Sequence, residues 1–235
     1  MDFDHQLQRE ILLKLIHNPS LSFNQLWAKQ DNSNKFAYHL KRLEETGLIR
    51  KNKTHYQLTD EGRKLSAFIE GDSGHKAEMP TLTHVLMVKK DNKILCQKRL
   101  KEPFYGYWGF ISGKINFGLN LFECAQRDLE EETGLKAKDI TLKGLEQVKT
   151  YEKDKLLFHH YMVIIEINNP QGQLKKKTHK AEHSWLTLDQ FKEKERFPEI
   201  WLTLYFSNKF TILEAERYME DGKFTGCKLI KKISF

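Results

Sequence analysis

Four carboxylates within five residues, Asp128, Glu130, Glu131 and Glu132, constrain this chain more than any other feature. The run Arg127-Asp-Leu-Glu-Glu-Glu-Thr-Gly-Leu135 follows Phe122, Ala125 and Leu129 at helical spacing, which predicts a helix over 121–133 anchored on a sheet by that stripe. On a helix Asp128 has Glu131 and Glu132 at i+3 and i+4, so the three share one face. Each like-charge pair costs roughly 0.2–0.5 kcal/mol on an isolated helix, and a cation between them reverses that sign. Mg2+ suits the arrangement because it takes hard oxygen ligands and bridges carboxylates to phosphates. Taken alone, the same four residues also fit a solvated acidic helix face.

The surroundings add to the pattern. Gly113-Lys-Ile-Asn-Phe-Gly-Leu-Asn-Leu-Phe-Glu-Cys-Ala-Gln-Arg-Asp-Leu-Glu-Glu-Glu-Thr-Gly-Leu135 resembles the Nudix box, Gly-x5-Glu-x7-Arg-Glu-U-x-Glu-Glu-x-Gly-U with U apolar. Gly113, Arg127, Leu129, Glu131, Glu132, Gly134 and Leu135 match at the required spacing. Tyr107-Trp-Gly-Phe110 and Glu182-His-Ser-Trp185 look like the family's flanks, so the resemblance covers about 81–191. It implies an α/β/α sandwich and a metal-dependent pyrophosphohydrolase that takes a nucleoside diphosphate linked to another group. Asp128, Glu131, Glu132 and the Gly113 carbonyl would then hold Mg2+ or Mn2+, with Arg127 supporting them and Glu182 as a candidate general base. Arg99 and Lys114 are candidates for substrate phosphate, against ordinary surface roles. Trp108 and Phe110 read as core. Two departures bear on activity: Asp128 stands where the family has Glu, and Leu119 where it has its first Glu. Without that glutamate, Glu131 or Glu123 is the expected partner of Arg127.

Ahead of this region lies a different pattern. Apolar residues at helical spacing (Leu7, Ile11, Leu12, Leu15), a short helix after Ser22 and a third helix opening near Asn32-Ser33 precede two short strands around Asn52-Lys53 and a helix from Thr59. That order is a winged helix-turn-helix over 1–70. Phe36-Ala-Tyr-His-Leu-Lys-Arg-Leu-Glu-Glu-Thr-Gly-Leu-Ile49 resembles the recognition helix and wing entry of small winged-helix regulators. It implies that Ser33, Asn34, Lys35, Tyr38 and Arg42 face double-stranded DNA, with Lys51 and Lys53 on phosphates. The alternative is a winged helix used for protein contact or dimerisation, which the balance of 11 basic and 10 acidic residues over 1–75 leaves open, although Lys35, Lys41, Arg42, Arg50, Lys51 and Lys53 cluster on the expected surface elements. Gly71-Asp-Ser-Gly-His-Lys-Ala-Glu-Met-Pro80 reads as a linker, and 81–235 as the second domain, closing on a hairpin around Asp221-Gly222.

Composition then excludes several classes. No apolar run approaches the roughly 18–20 residues of a membrane span, and Met1-Asp-Phe-Asp-His lacks the features of a signal peptide. Three cysteines without metal-ligand spacing fit a reduced, cytoplasmic protein. The +7 net charge permits a phosphate or nucleic-acid partner. Two functions remain: a hydrolase with an attached DNA-binding module, or a regulator whose second domain senses a nucleotide-like ligand with little hydrolysis. A homodimer is expected if the winged helix reads a palindrome.

Overall fold

The computed structural model describes residues 5–29, 32–71 and 73–235. The reading of residues 1–4 as lacking a signal, and Asp72 of the expected linker, lie outside them. The chain divides into two compact units, Met1–Met79 and Pro80–Phe235.

The first unit runs α1 (Gln6–His17), β1 (Leu21–Ser22), α2 (Phe23–Trp27), α3 (Ser33–Glu45), β2 (Ile49–Asn52), β3 (His55–Leu58) and α4 (Asp60–Ser66). Each helix start has a side-chain reason. Ser22 and Gln25 form a reciprocal capping box on α2, the Asn32 carboxamide accepts from two N–H groups of α3, and Thr59 accepts from Gly62 N. Such caps contribute about 1 kcal/mol each. The three helices bury Ile11, Leu12, Leu26, Phe36, Leu40 and Leu43 in one core, closed by Ile49 and Tyr56 of a small antiparallel sheet ordered β1-β3-β2. Strand β1 is absent from the sequence reading; two residues are too few to show a period. The expected linker folds back, with Ala77 N donating to Phe68 O and Gly74 packed on Arg9 and Leu13 of α1.

The second unit contains β4 (Thr81–Lys90), β5 (Lys93–Arg99), β6 (Trp108–Gly109), β7 (Ile111–Lys114), α5 (Leu121–Thr133), β8 (Leu135–Lys136), β9 (Asp139–Glu152), β10 (Lys155–Asn168), β11 (Gln171–Gly172), β12 (Ala181–Leu186), α6 (Leu188–Lys192), a 3-10 helix (Ile200–Leu204), β13 (Thr211–Glu220) and β14 (Lys223–Ser234). The main sheet is ordered β12-β5-β4-β10-β9-β13-β14, with β6 on β5 and β7 on β4. Strands β10 and β4 are parallel, as are β13 and β9.

Alternation along β4 divides the core. Leu86 and Val88 face α5 through Ala125 and Leu129, whereas Val85 and Met87 face Phe191, Trp201 and Leu204 on the opposite side. The sheet is thus covered on both faces, as the sandwich reading requires. One part of the expected stripe differs: Phe122 is exposed, and Cys124 is buried with Ala125, Leu129 and Thr133 instead. Among the described residues no helix is long and apolar enough to cross a membrane.

Candidate functional site

Helix α5 begins where Asn120 N donates to the Glu123 carboxylate at 3.0 Å, and it ends on Gly134, whose φ of 75° is the left-handed conformation that favours glycine. Glu123 is therefore the helix cap rather than a partner of Arg127. The arginine lies elsewhere too. Its Nε and Nη2 donate to Asp128 Oδ1 at 2.8 and 2.6 Å, and Nη1 reaches the Asn116 carboxamide oxygen at 3.0 Å with that amide turned to satisfy both its ends. Asn116 and Asp128 take the place of the expected Glu131 or Glu123. With Leu119 apolar and 41% exposed, nothing at position 119 competes for the guanidinium.

The second oxygen of Asp128 meets a residue that the sequence reading missed. His84 Nε2 lies 2.9 Å from Asp128 Oδ2, and the imidazole is fully buried. A carboxylate only accepts, so Nε2 carries the proton. Nδ1 is then bare, and it has no hydrogen-bond partner. Burial lowers the His84 pKa, against the opposing pull of Asp128, which keeps the ring neutral. The signal was present: His84 is the one polar side chain among the alternate residues Leu82, His84, Leu86 and Val88, on the face that meets α5. Gly113 pairs with His84 across β7 and β4. A Cβ at Gly113 would sit 1.8 Å from Asp128 Oδ2, so only glycine lets the carboxylate reach this backbone.

Glu131 is exposed and Glu132 half-buried, and neither side chain makes a hydrogen bond among the described residues. Burial raises the Glu132 pKa; Lys101, Lys180 and Arg99 pull it down, and Asp128 adds to the rise. Arg99 has its Nε on Pro103 O at 3.0 Å, and burial lowers its pKa while Glu132 and Glu102 oppose. Glu132 thus lies within electrostatic reach of cations from the 99–101 and 180 positions, and the Lys175 ammonium reaches the Glu131 backbone O at 3.4 Å. Lys101 and Lys180 had no motif to mark them.

Other expected residues fall outside this group. Glu182 lies beside Lys98 in register, whereas its neighbour Ala181 lies beside Arg99. Side chains alternate across a strand, so Glu182 is on the sheet face away from Arg99, bridged to Lys177 at 2.7 Å. The structure does not bring it to the helix. Lys114 is exposed at the end of β7, opposite Thr83. Phe110 is core against Phe191 and Trp201, and Trp108 is half-buried.

Nudix hydrolases generally use a divalent metal such as Mg2+ or Mn2+. The donor set fits such an ion in kind: Glu131 and Glu132 offer hard oxygens without hydrogen-bond partners. Asp128 fits less well, with Oδ1 taken twice by Arg127 and Oδ2 once by His84. Among the described residues no three His, Cys, Asp or Glu side chains are gathered as a ready cluster.

In the first unit Ser33, Asn34, Lys35, Tyr38 and Arg42 are all exposed on α3, with Tyr38 60% exposed. Arg42 is bridged to Glu45 at 3.0 Å. Lys51 and Lys53 are exposed on and beside β2, the Lys51 ammonium 5.5 Å from the Tyr56 ring. His39 is buried and stacked on His5 at 3.7 Å, which makes it a packed residue.

A family model described as the NUDIX domain matches residues 79–204. The chain belongs to the Nudix family. Over 59 residues it is 39% identical to an ADP-ribose pyrophosphatase of Methanocaldococcus jannaschii, a match that covers 25% of this chain and 35% of that one. The chain thus spans about a third of the length of this curated relative. Among solved structures, a MutT protein from Bacillus halodurans is similar with a TM-score of 0.53 and 18% identity, covering 64% of this chain and 97% of that one. That likeness shows the fold. Strands β13 and β14 lie beyond the segment matched by the family model.

Proposed function

We propose that this Nudix protein is a metal-dependent pyrophosphohydrolase for a nucleoside diphosphate linked to another group, with ADP-ribose the first candidate. The observation that carries the reading is Glu132, half-buried beside Asp128 with no hydrogen bond and faced by Arg99, Lys101 and Lys180. Carboxylates for a hard cation and cations for phosphate oxygens meet there. The name of the Methanocaldococcus jannaschii relative supports the choice of ADP-ribose. Glu131, Glu132, Asp128 and the Gly113 carbonyl would hold Mg2+ or Mn2+. When bound, the ion polarises a phosphoryl oxygen and makes hydroxide available at neutral pH. Arg99 and Lys101 orient the diphosphate, Arg127 and His84 fix the rotamer of Asp128, and Glu182 has no part. The test is hydrolysis of ADP-ribose with Mg2+ by the wild type and by Glu132→Gln. Loss of a metal ligand is expected to lower turnover by more than the roughly 10- to 100-fold that follows loss of a ligand's outer partner. Equal turnover in the two proteins rejects the site.

A second reading is favoured by Asp128, whose oxygens are occupied by Arg127 and His84. In it the second unit senses the nucleotide with little hydrolysis, and the first unit is a winged helix that binds double-stranded DNA as a homodimer. Ser33, Asn34, Lys35, Tyr38 and Arg42 then face the bases, with Lys51 and Lys53 on phosphates. Lys51→Ala is expected to weaken binding to all sequences alike and to lower the salt slope by about one. Absence of salt-sensitive DNA binding by the full chain leaves the first unit an interaction module.

A further inference from the structure

The 100–106 loop between β5 and β6 carries a ring enclosed by four others. Phe104 stacks on Phe224 with centroids 5.1 Å apart and 29° between planes. It meets Phe197 edge-on at 5.3 Å, Phe158 at 5.8 Å and Tyr107 at 6.1 Å. Those four are tied together in part without it: Tyr107, Phe197 and Phe224 lie 5.6 Å apart in each pair. Of the five, Tyr107 is buried and the others are half-buried, so the cluster opens to solvent.

Three observations set Phe104 apart from an ordinary core ring. Its φ is +69°, and it is the one aromatic residue with positive φ among the described residues. A bulky side chain in that conformation is strained, and such strain gathers at ligand clamps. The loop is closed without its ring, since Arg99 N donates to Tyr107 O and Gly106 N to Arg99 O. Finally, the end of β5 and the start of this loop supply Arg99 and Lys101, two of the three cations that act on Glu132. One short segment therefore joins the diphosphate end of the site to the aromatic cluster.

We propose that Tyr107, Phe158, Phe197 and Phe224 form a stacking cage for the nucleobase of the substrate, and that Phe104 fills it as a stand-in until the base displaces it. The proposal rests on the diphosphate reading above. A base offers the same flat π face and polarised edge as the phenyl ring, so the stacked wall of Phe224 and the edge-on walls of Phe158 and Phe197 receive either one. Phe224 belongs to β14, so one wall comes from outside the segment 79–204 matched by the family model. Stacking on rings is tolerant of base identity, with purines favoured by their larger face and the Tyr107 hydroxyl the one hydrogen-bonding group among the four walls.

The experiment is calorimetric titration of the full chain with adenosine, ADP-ribose and inorganic pyrophosphate, without added metal so that nothing turns over. Phe224→Ala and Phe158→Leu should weaken ADP-ribose by about 5- to 150-fold while leaving pyrophosphate unchanged. Phe104→Ala should tighten adenosine and ADP-ribose, because it removes the competing ring. Phe158→Leu keeps apolar bulk and loses only the π face, so it decides the matter if Phe224→Ala does not fold. Unchanged ADP-ribose affinity in folded Phe158→Leu overturns the cage, as does a wild type that binds neither adenosine nor ADP-ribose. Weakening by Phe104→Ala as large as that by Phe224→Ala overturns the stand-in. Adenosine bound through the cage, with no gain for ADP-ribose and no hydrolysis of ADP-ribose once Mg2+ is added, sustains the cage and sinks the diphosphate reading.

Discussion

The two faces of the second unit each hold a group of carboxylates with arginine, and they treat the charge in opposite ways. On the α5 face, Glu131 is exposed and Glu132 feels the charges of Lys101, Lys180 and Arg99 without a hydrogen bond to any of them. On the other face Glu146 is fully buried with neither carboxylate oxygen hydrogen-bonded, and Arg217 Nη2 lies 3.9 Å from it but 2.7 Å from Glu199. Trp201 Nε1 also donates to Glu199 at 2.6 Å. One guanidinium thus serves two acids, and Glu199 takes it. The open group keeps its oxygens available to a ligand; the sealed group spends its cation internally and protonates the loser. Burial pushes Glu146 up to about 8, against the opposing pull of Arg217. Similar side chains make a site in one place and a structural joint in the other, and access to water separates them.

The sharpest way to break this contrast is to remove the cation on the sealed side. Arg217→Met leaves Glu199 and Glu146 buried together, a loss expected to cost about 3–5 kcal/mol. Urea unfolding of the full chain measures it, and a change under ~1 kcal/mol would mean that the joint is hydrated after all. On the open side the corresponding contact is His84 to Asp128. His84→Leu keeps bulk and removes the proton that holds Oδ2, so Mg2+-dependent turnover of ADP-ribose should fall by about 10- to 100-fold. A faster variant would instead show that His84 withholds Asp128 from the metal.

The last effect is a pH dependence. The folded carboxyl of Glu146 titrates at about 8, against about 4.3 in an unfolded chain. Between those values the folded chain keeps a proton that the unfolded chain has lost. Stability from this group is therefore complete below about 4.3 and declines as pH rises through about 8. Glu146→Gln should remove that decline, so that its Tm exceeds that of the wild type near pH 9 and the gap closes towards pH 5. A wild type whose Tm is flat across this window would show Glu146 to be ionised and paired.

The sequence carried the sheet-forming segments and α5 because both periods are strong there: β4, β9 and β10 are long, and Asn120 and Gly134 mark the helix ends. It carried the placement of Asp128, Glu131 and Glu132 on one helix for the same reason, since i+3 and i+4 spacing fixes which side chains share a face. What escaped it was set by contacts across the chain. His84 meets Asp128 from 44 residues away. Lys101 and Lys180 meet Glu132 because β5 and β12 pair in one register. Glu182 was misjudged by its motif, because strand parity turns it to the far face. Arg127 was assigned by helical spacing, but the nearer Asp128 and the loop residue Asn116 offered better geometry.

The family-matched segment stops at Leu204, yet β9 finds its second neighbour only in β13, seven residues later. A fragment trimmed at that boundary would bare nine registered positions along β9, from Gly144 to Glu152, as an unpaired border. It would also uncover Val148, which packs with Leu213 and Ala215 in the intact chain. Exposed strand borders of that length recruit other chains. The full chain presents β14 there instead, where Lys228, Lys231 and Lys232 discourage such pairing. The appended hairpin is in that sense a selvedge, the finished margin that keeps a woven cloth from unravelling into its neighbours.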